Sequence, residues 1–259
     1  MSDLLIDPYR ANSDDGPPVV AVFDAAGAIR SAGRHAHRRG QLLGALQGLL
    51  SIATEAGRWI VPAIHAVWIP PHHPHELLAH GPFRGWSVYI AKQACAPLED
   101  RPRVIRVSGL LREAASRAAG WKGDILDEAQ GRIAAVILDE IAGAQSEQFG
   151  LPMPHDPRLV RIARALIADL TDNRSLEDWA LWAAVPARTL SRRFVVETGF
   201  SFAAWRQRAR LMRALELLAA GAAVTTVALD VGYDNVSAFI AVFRRTFGAT
   251  PTRYLGSNG

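Results

Sequence analysis

Seven of the chain's eight histidines fall between His35 and His80, and none lies beyond His155. If His35 and His37 share a strand, they point to one face of it, because side chains alternate with a period of two. Gln41 lies close by in sequence, and His75 follows a turn. Imidazole with an oxygen ligand suits iron, nickel, zinc or manganese. The competing reading is that His72-His73-Pro74-His75 is a polar loop. His65 and His80 have no assigned role. Trp59, Trp68 and Trp86, three of seven tryptophans, either line a pocket for an aromatic effector or belong to the core. Cys95 has no helix-opening or basic context and reads as a packed thiol. The sequence contains no G-x-G-x-x-G, P-loop or G-x-S-x-G pattern.

These groups need elements to hold them. Residues 1–18 read as a loose tail bounded by Gly16-Pro17-Pro18. Short apolar runs follow at Val19–Phe23, Gln41–Leu46, Leu49–Thr54, Trp59–Val61, Ala66–Ile69, Glu76–Ala79, Trp86–Ile90 and Val104–Val107. Strands at this spacing predict an antiparallel β-barrel or sandwich. Periodicity turns helical over Ser108–Ala119 and Ile125–Gln145. In the second stretch Leu126, Ile133, Ile137 and Ile141 share a face with Val136 beside it. That stripe must be buried, on its own barrel or on a second subunit. Residues 19–147 thus form one domain, and 148–155 a linker.

Residues 156–256 read as all helix, with about seven segments. Asp156-Pro157 opens the first, and Ser175-x-x-Asp178 is a capping box before Leu176–Ala183. Gly199 ends Ala187–Thr198, Ser201 caps Phe202–Ala219, and Gly221 ends it. Thr225, Gly232, Asp234 and Gly248 bound the last pair, with a final turn from Thr250-Pro251. Leu176–Gly199 and Val227–Gly248 are alike: Ala180 matches Ala228, Phe194 matches Phe243 and Gly199 matches Gly248. Short helix, tight turn and a second helix with a polar outer face is the helix-turn-helix pattern. Two such units stand on either side of the long helix Phe202–Ala219.

Charge follows the same division. Residues 1–150 carry 15 Lys+Arg against 16 Asp+Glu, and residues 151–259 carry 14 against 9, a net of +5. All fourteen of the latter cations are arginine. This is the balance of a polyanion-binding module, and equally of an arginine-rich soluble domain. No run of about 18 apolar residues suggests a membrane span. The acidic N-terminus lacks a basic region followed by an apolar stretch, so a signal peptide is not expected. One cysteine excludes an intrachain disulfide and fits a reducing compartment, so a cytoplasmic protein is expected.

The C-terminal hundred residues resemble the AraC/XylS family of bacterial transcription regulators. The resemblance is carried by Leu176-x3-Ala180, Thr189-Leu190-Ser191-Arg192-x-Phe194, Glu197-Thr198-Gly199 and Val227-Ala228-x2-Val231-Gly232-Tyr233. To these add Ser237-Ala238-Phe239-x3-Phe243-Arg244-Arg245-x-Phe247-Gly248-x2-Pro251-x2-Tyr254. The N-terminal part resembles the cupin-type effector domain of such proteins through His35-x-His37-x3-Gln41-Leu42 and Trp68-Ile69-Pro70-Pro71-x2-Pro74-His75. The expected fold is α+β: a cupin-like antiparallel β-barrel with helices, then an all-α domain with two helix-turn-helix units.

The resemblance implies that helices Ala187–Thr198 and Asn235–Phe247 enter consecutive major grooves. Arg188, Ser191 and Arg192 then face DNA, and arginine can bond guanine O6 and N7 together. Thr189 and Arg193 would serve phosphates. In the second helix Asn235 lies at the start, favourable for phosphate, and Val236, Ser237, Ala238 and Ala241 point outward, with Arg244 a further contact. The family often has long polar residues where these are small, so sequence discrimination is expected mainly from the first unit. The first turn also departs: Ala184-Val185-Pro186 replaces the usual glycine followed by a Ser or Thr cap. His35, His37, Trp59, Trp68, His75 and Trp86 are the expected effector pocket. By resemblance to metal-binding cupins, His35, His37, Gln41 and His75 are a metal-ligand set or its retained framework.

The function so implied is a sequence-specific DNA-binding regulator, not an enzyme, controlled by a small-molecule effector in the N-terminal barrel. Its expected partners are promoter DNA, a second copy of itself and, for an activator, RNA polymerase; no membrane partner is expected. Two alternatives remain at this level: a metal-dependent cupin enzyme with an accessory helical domain, and a regulator that senses the metal itself.

Overall fold

A computed structural model describes residues 6–24, 31–62, 64–147 and 149–256. The chain divides into two units, Met1–Glu55 with Trp59–Gly150, and Ala56–Arg58 with Leu151–Gly259.

The first unit contains α1 (Pro8–Asn12), β1 (Val19–Asp24), β2 (Ser31–His35), β3 (Gly40–Thr54), β4 (Gly57–Pro62), β5 (His65–Ile69), β6 (His75–Ile90), β7 (Arg103–Arg106), α2 (Gly109–Ala118), α3 (Glu128–Gly143) and β8 (Ser146–Glu147). A last short strand, β9 (Gly150–Pro152), pairs β4. The sheet runs β1-β6-β3-β5-β7-β8, with β2 on β6 and β4 on β3.

Two apolar clusters occupy its two faces. Leu42, Ala66, Trp68, Trp86, Val88 and Ile90 pack beneath α2 and α3, together with Leu111, Ala115, Ile137 and Ile141. Leu43, Ala45, Leu50, Ile52, Trp59, Val61, Val67, Ile69, Leu77, Phe83 and Val104 form the other cluster. Along β5 the alternation is direct: Ala66 and Trp68 face one way, Val67 and Ile69 the other. Along β3 it is interrupted. Leu43 and Ala45 share a cluster with Leu50 and Ile52, positions of opposite parity. Register shifts between Ala45 and Leu49 insert the residue that restores the face. Gly48 sits there at φ +80, where a Cβ would lie 2.3 Å from the Pro82 carbonyl oxygen.

That bulge explains one correction. Gln41–Leu46 and Leu49–Thr54 are a single bent strand, and so are Glu76–Ala79 and Trp86–Ile90. The expected loose tail is also corrected, although residues 1–5 lie outside the described part. Ile6 and Ala11 are buried against Tyr89. The buried Arg39 donates to the carbonyls of Arg10, Asp15 and Pro17 at 3.0, 2.7 and 2.8 Å. A guanidinium buried in this way must find such acceptors. The stripe on the second helix is buried within its own unit, through Ile137 and Ile141 with Leu126 and Ile133 packed beside them. That helix starts later than periodicity alone predicts, because Asp127 and Gln130 close a capping box. Arg103 takes the carbonyls of Ile141 and Ala144 near its far end.

The second unit holds α4 (Pro157–Ala168), α5 (Leu176–Trp182), α6 (Ala187–Thr198), α7 (Phe202–Ala219), α8 (Val224–Asp230), α9 (Val236–Phe247) and α10 (Pro251–Gly256). Asp156, Ser175 and Ser201 cap α4, α5 and α7 as their side-chain chemistry predicts. Two boundaries differ. Ala223 rather than Thr225 precedes α8, and Asn235 rather than Asp234 caps α9, accepting from Ala238 N. The internal repeat is exact in length: α5 and α8 have 7 residues each, α6 and α9 have 12. Their buried positions correspond, Ala180 with Ala228, Leu190 with Phe239 and Phe194 with Phe243. By its 18 residues α7 is about 27 Å long. Its Phe202 and Trp205 meet the Phe194 ring edge-on at 5.5 and 5.6 Å.

Candidate nucleic-acid interface and a histidine cluster

Helix α6 buries Leu190, Phe194 and Thr198 on one side. Spacings of three and four place Arg188, Ser191 and Arg192 together on the other, where all three are exposed. Thr189 lies at the edge of this face, half-buried. Pro186 supplies no capping side chain, and its ring sets the backbone at the helix start. Helix α9 repeats the arrangement with smaller groups. Phe239 and Phe243 are buried, and Ser237, Ala238, Ala241, Arg244 and Arg245 are exposed. Val236 is half-buried rather than outward. Asn235 uses Oδ1 to cap the helix, accepting from Ala238 N.

Composition gives fourteen arginines to residues 151–259, and packing sorts them. Arg158 pairs with Asp156, Arg174 with Asp172 and Arg213 with Glu216. Arg161, Arg206 and Arg210 hold the carbonyls of Trp182, Arg174 and Leu170. Burial pulls Arg208 down to about 10. Arg193, expected on phosphate, instead joins Asp156 and Glu197, the latter at 2.9 Å. Among the described residues Arg164, Arg188, Arg192, Arg244, Arg245 and Arg253 enter no ion pair or side-chain hydrogen bond. Four of these six lie on α6 and α9. A cation left exposed without a carboxylate is available to a polyanion, and arginine's planar fork suits both guanine and phosphate. The sequence shows part of this sorting, since Arg158, Arg174, Arg193 and Arg213 each have a carboxylate within four residues, whereas the carbonyls that hold Arg161, Arg206 and Arg210 lie 21, 32 and 40 positions away.

In the first unit the structure brings His35, His37 and His75 together. One ring nitrogen from each lies within 4.8 Å of the others. His35 ends β2, His37 lies in the turn beyond it and His75 opens β6, so the two early histidines do not share a strand as expected. Each Nδ1 meets a backbone carbonyl: His35 to Gly33 at 2.7 Å, His37 to Arg39 at 2.5 Å and His75 to His73 at 2.8 Å. A carbonyl only accepts, so each Nδ1 carries the proton and each Nε2 presents a lone pair. The Nε2 atoms of His35 and His75 are buried without a hydrogen-bond partner. Burial holds His75 down at about 3, and lowers His37 as well. Gln41 stands beside them, its Oε1 3.1 Å from His37 Nε2, while its Nε2 donates to Ser87 Oγ at 2.7 Å and Tyr89 Oη at 3.2 Å.

The tryptophans do not complete this site as one pocket. Trp68 and Trp86 are in the cluster under α2 and α3, and Trp59 is in the other. Trp68 Nε1 donates to Glu99 O, and Trp86 stacks on Phe23 at 5.9 Å. The parity of β5 carries this signal in the sequence, since Trp68 lies between inward-facing Val67 and Ile69. Cys95 is a packed thiol whose pKa burial raises.

A family model described as a helix-turn-helix domain matches residues 179–257. The transcriptional regulator NimR of Escherichia coli is 31% identical over 227 residues, covering 85% of this chain and 81% of that protein. The transcriptional regulator RipA of Corynebacterium glutamicum is 38% identical over 103 residues, 40% of this chain and 31% of that protein. Among solved structures, the C-terminal domain of AraT, a response regulator from Geobacillus stearothermophilus, is 27% identical with a TM-score of 0.38, covering 39% of this chain and 86% of that one.

Proposed function

The chain belongs to the AraC/XylS family of bacterial transcription regulators, and from that premise we propose that it reads its operator chiefly through α6. It is a DNA-binding transcription regulator, not an enzyme. The observation that carries the proposal is the exposed set Arg188, Ser191 and Arg192, whose two guanidinium groups have no protein partner among the described residues. In a major groove, a guanidinium on guanine O6 and N7 discriminates by roughly 1–3 kcal/mol against another base. Thr189, Asn235 and Arg244 lie where phosphates fix the register. Ser237 and Ala238 offer α9 only a hydroxyl and a methyl contact.

Binding to a panel of operator variants tests this. Arg192→Ala should cost about 1–3 kcal/mol of discrimination at one or two base pairs, and Ser237→Ala much less. Equal losses from the two substitutions would place specificity in both units and defeat the proposal.

The N-terminal unit, in this reading, takes a small effector and pairs two copies of the chain. An effector acts only by binding two states of the regulator unequally. Where the bound regulator activates, RNA polymerase is the further partner.

A further inference from the structure

We propose that residues 151–156 are a strap that aims the base-reading helix α6, that Glu197 is the positioning residue to which the strap is tied, and that this tie is where the state of the N-terminal unit reaches the operator. The proposal rests on the reading of α6 given above and adds how that helix is held.

The strap has little freedom of its own. Pro152, Pro154 and Pro157 fix φ at their own positions and hold the residues before them, Leu151, Met153 and Asp156, to extended backbone. Proline has no N–H, so between Pro152 and Pro157 only Met153, His155 and Asp156 can donate. All three do. Met153 N donates to the Ala56 carbonyl at 3.0 Å, and His155 N and Asp156 N donate to Glu197 Oε2 at 2.7 and 2.9 Å. The Pro152 carbonyl accepts from Trp205 Nε1 on α7 at 2.7 Å. Leu151 and Pro154 are buried. A proline-stiffened segment fastened at Pro152, Met153, His155 and Asp156 passes a displacement on instead of absorbing it.

On α6 the tie is charged. Glu197 divides its oxygens: Oε2 takes the two strap amides, and Oε1 takes Arg193 Nε and Nη2 at 3.0 and 2.9 Å. Arg193 in turn reaches the Asp156 carboxylate, which caps α4. Burial opposes a charge on Glu197, but the Asp156 and His155 amides and then Arg193 outweigh it and hold its carboxyl below the ordinary value. Bonds of this kind are about twice as strong as neutral ones and demand their geometry. Arg193 and Glu197 leave the same helix as Arg188, Ser191 and Arg192, so a displaced strap turns that helix or comes away from it.

The internal repeat shows that a helix-turn-helix unit folds without such a tie. Ala180, Leu190 and Phe194 recur as Ala228, Phe239 and Phe243. The places of Arg193 and Glu197 are taken in α9 by Val242 and Thr246, neither of them charged. The tie belongs to the unit that carries Arg188 and Arg192. Strap and reading helix then share one equilibrium. A pull on the chain at Leu151 changes operator affinity, and operator binding steadies the strap by the same factor.

The test uses the full chain, duplexes that the wild-type chain selects from a random-sequence pool, and a scrambled duplex. Glu197→Ala should weaken binding of the selected duplex about tenfold or more. The scrambled duplex, held through its phosphates, should change by less than about twofold. Glu197→Gln keeps an oxygen for the strap amides without the charge, and should recover most of the loss. Glutamine as poor as alanine overturns the strap in favour of the Arg193 pair alone, and equal losses on both duplexes overturn a positioning role. If Glu197→Ala fails to fold by circular dichroism, Trp205→Phe decides: it removes the donor to Pro152, keeps a ring against Phe194, and should also weaken the selected duplex more than the scrambled one. In the wild-type chain the selected duplex should slow hydrogen exchange of residues 151–156 about fivefold or more, and the scrambled one should not. Exchange that the selected duplex leaves unchanged overturns the strap as the route of control. Arg192→Ala keeps the two readings apart. Base preference lost there but kept in Glu197→Ala defeats this inference alone, whereas base preference kept in Arg192→Ala defeats the reading of α6.

Discussion

Arg192 and Arg193 are adjacent on α6 and do opposite things. One is exposed among groups aimed outward; the other turns back to Asp156, the residue that caps α4. Asp156 is buried and held at about 2, first by its hydrogen bonds from Arg158 and then by the nearby charge of Arg193. Its folded value is therefore depressed below that of the unfolded chain, ~3.9. Such a group stabilises the fold fully above the unfolded value, and the contribution is lost as pH falls through the folded one. The helical unit should lose about 1–2 kcal/mol between pH ~4 and pH ~2, allowing for solvent around the two arginines. Asp156→Asn should remove that dependence and lower stability at pH 7, read by chemical denaturation across the range. An acid limb unchanged by the substitution would show that Asp156 does not set it. In the sequence only Glu197, four residues beyond Arg193, sets it apart from Arg192. Neighbouring residues on a helix point about 100° apart, and of the two carboxylates that claim Arg193 one, Glu197, is a local i,i+4 partner while the other, Asp156, lies 37 positions away.

The two helix-turn-helix units form a natural experiment in turn chemistry. Ala184 and Gly232 occupy the corresponding position, and both are left-handed, at φ +53 and +80. A side chain there costs about 1–2 kcal/mol in an L-residue. Ala184→Gly should relieve it and stabilise the fold by about 0.5–1 kcal/mol after the entropy of the added freedom. Gly232→Ala should destabilise by about 2–3 kcal/mol. Its Cβ would stand 2.5 Å from the Leu170 carbonyl oxygen and 2.7 Å from Arg210 Nη2. Thermal unfolding of both variants checks the pair, and a destabilised Ala184→Gly would mean that the methyl group packs better than its strain implies. Caps and turns of this kind were legible because their chemistry is local: Ser175 needs only Asp178, and Gly199 ends α6 wherever the chain leads. The sheet was harder. The bulge at Gly48 merged two runs into β3, and β2 pairs with β6, more than forty residues away. The N-terminal segment looked loose because nothing within it shows that Arg39 takes its carbonyls.

At the scale of the whole chain, charge division becomes a measurable property of DNA binding. Residues 1–150 carry a net of −1 and residues 151–259 a net of +5, so attraction to the phosphate backbone should come from the helical unit. Net charge overstates that attraction, since arginines held by Asp156, Asp172 and Glu216 are already neutralised. The groups that can displace counterions are the exposed, unpaired ones, with Arg188, Arg192, Arg244 and Arg245 on the two outer helices. Each phosphate so neutralised adds about −0.9 to the slope of log affinity against log salt. Arg244→Ala should therefore reduce the magnitude of the slope by about one and weaken all sequences alike. Arg193→Ala should leave the slope unchanged while lowering stability, because that guanidinium answers to Asp156 and Glu197. Arg192→Ala should change base preference more than slope. Titrations of operator and random duplexes at several salt concentrations separate the three. If Arg193→Ala flattened the slope as much as Arg244→Ala, the division of arginines by packing would fail as a guide to which of them meet DNA.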